Sequence, residues 1–169
     1  MKIFFSTLIL LFGITFQAHA QKYGHVNSSE LIIALPEVKA ADSELEAYQQ
    51  NLLKKGEDMV AEFQKEYQAY GTKANAGELT GVQMQQQEAA LSAKQQEIQR
   101  YEVEIQQLLA QKRQEVYQPI LDKVTKIVQE VGKEMGYTMV FDSGSGGLLF
   151  VDESDDLMPV VRQRLGITN

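Results

Sequence analysis

The sequence predicts a mostly helical α+β protein in which a long antiparallel helical hairpin, the arm, projects from a small β-strand body that assembles in a homo-oligomer. A helical period of apolar residues runs from residue 36 to about residue 135 with one interruption, which predicts two paired helices. A glycine-punctuated, strand-like zone follows at residues 136–169. Both faces of its strands are apolar, so a single copy leaves one face uncovered and self-association is expected.

The first twenty residues have the pattern of a secretory signal peptide. Lys2 gives a basic start, residues 3–16 are largely apolar, and residues 18–20 have the small-x-small pattern of a cleavage site. An uncleaved anchor is the alternative, but the apolar run is shorter than the roughly 20 residues of a membrane span. The sequence therefore predicts cleavage after Ala20 and an exported chain that begins at Gln21.

The composition excludes several classes of protein. The 169 residues carry 16 Lys and Arg against 23 Asp and Glu, a formal net charge of −7, which argues against nucleic acid as a partner. The chain has no cysteine, so disulfides, thiolate chemistry and a lipidated cysteine are all excluded. Its stability must come from packing or from assembly.

The arm is predicted to span residues 36–118, with its tip at residues 71–81. Between the two helical stretches lies YGTKANAGELTG, residues 70–81, whose glycine, asparagine and threonine are typical of a turn. Apolar residues spaced by three and four positions give each helix one stripe, which indicates a pairing seam. Folding back near Ala76 places Phe63 beside Ala89 and Leu52 beside Arg100.

The body is predicted to comprise residues 21–35 and 119–169. Two strands, YTMVFD at residues 137–142 and GLLFVD at residues 147–152, are expected to form a hairpin around SGSG. The apolar face of residues 120–131 needs cover, which this C-terminal zone can supply. Large apolar side chains of the strands are the candidates for contact between copies. These assembly candidates are Val26, Tyr137, Met139, Phe141, Leu148 and Phe150.

The residues predict neither an enzyme nor a cofactor or metal site. His25 is the single histidine after residue 20, so it lacks a second ligand and a paired nucleophile. Asp142 to Glu153 has the spacing of a calcium loop, but Gly144 and Gly146 occupy two ligand positions, and a hairpin is favoured. The acidic run at residues 152–156 is assigned to capping of the last helix rather than to cation binding.

Sparse apolar side chains, set among Gln, Glu and Lys on the arm, indicate a surface for weak contacts with apolar partner segments. Each contact of about 40 Å² contributes on the order of 1 kcal/mol at ~25 cal/mol/Å². The alternative for most of these side chains is a place in the seam between the helices. The candidates for client binding are Met59, Phe63, Tyr67, Tyr70, Met84 and Leu91.

The order of these parts resembles the Skp/OmpH-like family of periplasmic chaperones. The resemblance rests on YGHVNSSELIIALPEVKAAD near the start and MGYTMVFDSGSGGLLFVDESDDLMPVVRQRL near the end, and the arms match only in length and period. It implies a periplasmic homotrimer whose arms enclose a cavity, acting as an ATP-independent holdase for unfolded outer-membrane proteins. The acidic arm departs from the basic character frequent in the family, which leaves peripheral contact with anionic membranes open.

Two other function classes stay open at this point. One is an exported structural or adhesive oligomer that uses its arms as spacers. The other is an exported enzyme whose site the sequence does not reveal. Suppression of the aggregation of a diluted, unfolded membrane protein distinguishes a holdase from both.

Overall fold

The computed structural model describes residues 21–167, so the predicted signal peptide at residues 1–20 lies outside the described residues. In this part of the chain the fold is mostly helical, with two long helices and a two-stranded sheet. The strands are β1 (Tyr23–Val26) and β2 (Met139–Asp142), and the helices are α1 (Ser28–Ala34), α2 (Pro36–Asn75), α3 (Gly81–Glu134) and α4 (Met158–Leu165). The prediction of a mostly helical α+β fold is confirmed.

The arm consists of α2 and α3, which pack side by side as an antiparallel pair. Their 40 and 54 residues correspond to roughly 60 and 80 Å at the usual rise of an α-helix. The seam between them buries few side chains, among them Leu52, Leu91 and Tyr101. The Tyr101 hydroxyl donates to the Leu52 carbonyl at 3.1 Å, and its ring lies against Gly56, where an added Cβ would be 3.6 Å from Tyr101 Cε1, an ordinary van der Waals distance.

Ion pairs between the two helices supplement this narrow seam. Lys94 Nζ lies 2.8 Å from Glu62 and 2.5 Å from Glu66, and Lys112 Nζ lies 2.6 Å from Glu44. The hydrogen bond from Lys94 lowers the pKa of the Glu62 carboxyl. Because these carboxylates are solvent-exposed, the pairs orient the helices more than they stabilise them.

The tip is shorter than predicted, because α2 continues through Asn75 instead of ending near Tyr70. Gly77 has a φ of +72°, a left-handed conformation that suits glycine and reverses the chain. The Thr80 side chain then caps α3 by accepting from the Gln83 amide, and the Gln83 side chain accepts from the Thr80 amide. The connection between the helices therefore comprises residues 76–80.

The longer α2 also shifts the pairing of the helices. The predicted contact of Phe63 with Ala89 is displaced by about one helical turn, since Lys94 lies opposite the turn that contains Phe63. Nearer the tip, the Tyr70 hydroxyl donates to Glu88 at 2.5 Å. The apolar period alone could not distinguish these registers, because a shift of one turn preserves the stripe.

The body contains a two-stranded parallel sheet, and the predicted hairpin is wrong. β1 pairs with β2 in the register Tyr23↔Met139 to Val26↔Asp142, and residues 147–152 form no strand. The physical reason lies after β2, where the Asp142 carboxylate accepts from the Gly144 amide and a short 3-10 turn follows at Ser143–Ser145. This local hydrogen bonding competes with an antiparallel ladder.

The acidic run caps the last helix only in part as predicted. Asp152 caps a 3-10 turn at Glu153–Asp155, not the last helix. Leu157 precedes α4 without a side-chain cap, and Pro159 occupies the first turn of that helix. The carboxylate of Asp156 accepts from the Met158 amide at 2.8 Å.

A single apolar core holds the body to the far end of α3. The C-terminal part of α3 extends past the first residue of α2 and presents an apolar face that includes Ile120, Val124 and Val131. Residues of α1, β1 and α4 cover this face. This agrees with the expectation that the C-terminal zone covers residues 120–131. The side chains with less than 2% exposure are Leu31, Leu35, Val131, Leu157 and Val161.

We expect Gly24→Ala to lower the free energy of unfolding by about 1–3 kcal/mol, the usual cost of overpacking. A Cβ at this position would lie 2.3 Å from Leu157 Cδ1 and 2.7 Å from Tyr137 Cε1. Urea denaturation at one fixed chain concentration measures the change, because assembly makes stability depend on concentration.

Gly71→Ala is the matched control. Gly71 lies inside α2, and a Cβ added there would meet nothing within 4 Å beyond the adjacent residues and the backbone of its own helix, so alanine should stabilise the helix by about 0.5–1 kcal/mol. Equal stability of the Gly24→Ala variant and the parent would contradict the close packing of β1 against Leu157.

Candidate functional site

Apolar side chains lie exposed or half-buried where the sheet meets the segment that follows it. We call this set the body patch: the exposed Tyr23, Phe141, Leu149 and Phe150, and the half-buried Leu148. Phe150 is 84% exposed, and Leu149 is fully exposed. The ring centres of Tyr23 and Phe141 lie 6.2 Å apart. These two rings, with Leu148 and Phe150, line a groove of about 330 Å³. An exposed apolar cluster of this kind is typical of an interaction surface.

The six candidates for contact between copies lie in different environments in the structure. Phe141, Leu148 and Phe150 belong to the body patch. Val26 is only 3% exposed and contributes to the core of the single chain. Tyr137 is half-buried beneath Lys22, whose Nζ lies 4.0 Å from the ring centre.

A second groove, between β2 and α3, contains the remaining candidate. Met139 is 53% exposed and lines this groove of about 510 Å³ together with Phe141, Val128 and Leu121. Since Phe141 lines both grooves, the body patch and the second groove adjoin at this side chain.

The client-binding candidates on the arm occupy different environments. Leu91 is 8% exposed and lies in the seam. Tyr67 is 60% exposed and stacks on Phe63, with ring centres 6.1 Å apart. The hydrogen bond to Glu88 raises the pKa of the Tyr70 hydroxyl. The half-buried candidates are Met59, Phe63, Tyr70 and Met84.

Sequence reasoning missed several exposed apolar side chains, because it selected residues mainly along the seam. Val103 is 75% exposed, and Val82 is 66% exposed. An isolated apolar residue off the helical stripe is the signal that could have found them. The missed side chains are Ile33, Leu53, Val60, Val82, Val103, Leu121, Met135, Leu149 and Val151.

Asp142 links the sheet to α1 at the edge of the second groove. Its Oδ1 accepts from the Ser28 amide at 3.1 Å and from the Gly144 amide at 2.9 Å, and its Oδ2 accepts from the Ser28 hydroxyl at 2.6 Å. Burial raises the pKa of Asp142, but these hydrogen bonds outweigh burial and hold the pKa below its usual value. The carboxylate therefore has a structural function.

Two other kinds of site have no candidate among the described residues. Residues 21–167 contain no group of three or more His, Cys, Asp or Glu side chains placed to hold a metal ion. In the same range, each helix is too short or too polar to cross a membrane. The exposed apolar surfaces are thus the candidate functional features.

Comparison with known proteins gives the family. The model of the family described as outer membrane protein (OmpH-like) matches residues 22–165. The chain belongs to the OmpH-like family. No curated protein matches this OmpH-like chain. Among solved structures, it is similar to a Caulobacter crescentus CB15 protein named as a presumed outer membrane chaperone (OmpH-like), with a TM-score of 0.70, 17% sequence identity and 90% of each chain covered.

We expect Asp142→Asn to destabilise the OmpH-like fold in a pH-dependent way. Since the pKa of Asp142 is lowered in the folded chain, its stabilisation is present above the unfolded pKa of about 3.9 and is lost as the pH falls through the folded value. The loss at neutral pH should be about 1 kcal/mol, a figure reduced for solvent screening of this exposed carboxylate.

Urea denaturation across a pH series measures this difference between variant and parent. The difference should shrink in acid, where the parent carboxyl is protonated too. Asp58→Asn, on the exposed surface of α2, is the control and should change stability less. A destabilisation by Asp142→Asn that is unchanged in acid would refute the assignment of the effect to the ionised carboxylate.

Proposed function

We propose that this OmpH-like protein is an ATP-independent periplasmic holdase that binds unfolded outer-membrane proteins and prevents their aggregation. The observation that carries the proposal is the exposure of single large apolar side chains along a slender helical arm. Membership of the OmpH-like family and the chaperone name of the Caulobacter relative support it. The predicted signal peptide supports export to the periplasm.

The spacing of these side chains suits reversible binding. On the arm, Tyr67, Val82 and Val103 are exposed. The register that pairs Tyr70 with Glu88 and Glu62 with Lys94 places them at different heights along the hairpin, so these three form no continuous patch that would aggregate by itself. Each apolar contact is worth on the order of 1 kcal/mol, and several together hold an unfolded segment. Because each contact is weak, the client can leave without nucleotide hydrolysis.

We also propose that the protein is a homotrimer held through the body patch. Leu149 and Phe150 expose their side chains in a single copy, and burial of such side chains between copies would remove apolar surface from water. The arms would then extend from a common base and surround a client. The trimeric number follows from the family resemblance.

We expect simultaneous deletion of residues 58–71 and 86–99 to weaken holding about ten-fold, equivalent to ~1.4 kcal/mol. Removing fourteen residues from each helix shortens the arm by roughly 20 Å and preserves the seam period. The deletion takes away both partners of the Lys94–Glu62 and Tyr70–Glu88 contacts, so none is left unpaired. Light scattering of a diluted β-barrel membrane protein measures the holding.

Two controls accompany this deletion. Sedimentation should show the parental oligomer, because the body core is untouched. Holding by the parent should persist at about 0.5 M salt, where the Debye length is only ~4 Å. A shortened protein as active as the parent would place client binding outside residues 58–71 and 86–99, and a parent that never suppresses aggregation would favour the structural or adhesive alternative.

We expect Phe150→Asp to dissociate the oligomer without unfolding the single chain. The side chain is 84% exposed in one copy, so the charge costs little there, whereas burial of an unpaired carboxylate between copies costs several kcal/mol. Analytical ultracentrifugation measures the mass, and circular dichroism measures the helix content.

Val103→Asp is the matched control, because Val103 is 75% exposed on the arm. It should leave the oligomer intact. Unchanged sedimentation of the Phe150→Asp variant would exclude Phe150 from the interface.

A further inference from the structure

We propose that His25 is a proton-operated clamp that fixes the C-terminal segment, residues 147–156, on β1. The proposal concerns the mobility of this segment and does not depend on chaperone activity. It rests on the placement of a buried imidazole between two acceptor groups of that segment.

The His25 side chain is almost enclosed, with 12% of its surface exposed. Its Nε2 lies 3.3 Å from the carbonyl oxygen of Asp152. Its Nδ1 lies 4.0 Å from Oδ1 of Asp156 and is the buried side-chain polar atom without a hydrogen-bond partner in the part of the chain that the structure describes. Both ring nitrogens therefore face oxygen atoms of one segment.

The two protonation forms of the ring satisfy these oxygens differently. A carbonyl only accepts hydrogen bonds, so the neutral ring carries its hydrogen on Nε2 and turns the Nδ1 lone pair toward the Asp156 carboxylate. That arrangement leaves a buried acceptor opposite an anion. The imidazolium has a hydrogen on each nitrogen, donates to the Asp152 carbonyl and forms an ion pair with Asp156. Proton uptake thus converts an unfavourable contact into an attractive one.

Charged and titratable groups of three elements surround the ring. The C-terminal segment contributes the carboxylate of Asp156 and, at the rim of the groove, those of Asp152 and Asp155. From β2, the residue opposite His25 is Phe141, which does not titrate. The remaining titratable groups on these elements are the exposed Glu153 carboxylate, the Tyr23 hydroxyl, which bonds Gln21, and the Asp142 carboxylate, which bonds Ser28 and Gly144.

The backbone shows what the clamp holds. The Leu157 amide donates to the His25 carbonyl at 3.0 Å, and His25 and Asp156 form an isolated parallel bridge. The segment that ends at this bridge carries Leu149 and Phe150 of the body patch. Protonation of His25 would therefore set how firmly these apolar side chains are held in place.

A spin label tests the clamp directly. The chain has no cysteine, so Glu153→Cys provides one attachment point on an exposed side chain of the segment that lies outside the body patch. The label should be more mobile at about pH 8.5 than at about pH 5.5, the range across which imidazole ordinarily changes charge. We expect the mobile fraction of the electron paramagnetic resonance spectrum to rise about two- to five-fold, as for a partly exposed ion pair.

Variants assign the effect to the ring and its partner. In the chain from Gln21 onward, His25 is the single histidine. His25→Gln keeps a donor for the Asp152 carbonyl but cannot titrate, and it should abolish the pH response. Asp156→Asn keeps the shape of the partner without its charge and should reduce the response by about half or more. A label at Val103→Cys on the arm reports on the rest of the fold and should not respond.

Three outcomes would overturn the proposal. The first is a label at residue 153 whose mobility is the same at both pH values in the parent. The second is a pH response that survives in His25→Gln, and the third is one that is undiminished in Asp156→Asn. Circular dichroism checks that each variant is folded. Because the two variants change opposite sides of the contact, either folded variant can test the proposal if the other misfolds.

Discussion

The difference in length between the two arm helices governs the rest of the molecule. α3 has 54 residues and α2 has 40, so the last turns of α3 have no part of α2 beside them. Their apolar face, with Ile120, Val124 and Val131, must be removed from water by other elements. The body meets this requirement, because α1, β1 and α4 pack on one face of α3. At the same place the sheet pairs β1, which precedes the arm, with β2, which follows it. The last turns of α3 are therefore both the base of the arm and part of the core of the body.

The arm lacks such a core and is correspondingly simple. Two helices can bury only one stripe each, so few side chains, such as Leu52, Leu91 and Tyr101, leave the solvent. Interhelical hydrogen bonds and ion pairs, including that of Tyr101 with Leu52 and that of Lys94 with Glu62, set the register. A slender hairpin of this kind exposes most of its surface, and this is the property that a reversible apolar binder needs.

The body concentrates its exposed apolar surface at one place. The segment after β2 leaves the sheet instead of pairing with it, because Asp142 binds Ser28 and Gly144 locally. The segment thereby presents Phe150 to solvent and places Asp156 beside His25. One acidic side chain at the end of a strand thus determines both the proposed assembly surface and the geometry of the proposed clamp.

The sequence by itself determined the helical arm, the glycine-rich turn and the family, because each depends on local periodicity or on the order of the parts. It could also indicate that the face at residues 120–131 required cover. It could not determine that β2 pairs in parallel with β1, that Val26 and Leu91 are buried, or that His25 meets Asp156. Those contacts join positions more than twenty-five residues apart or depend on the register of α2 against α3. Only the tertiary structure decided them, because an apolar period shows that a face is buried but not which distant residues bury it.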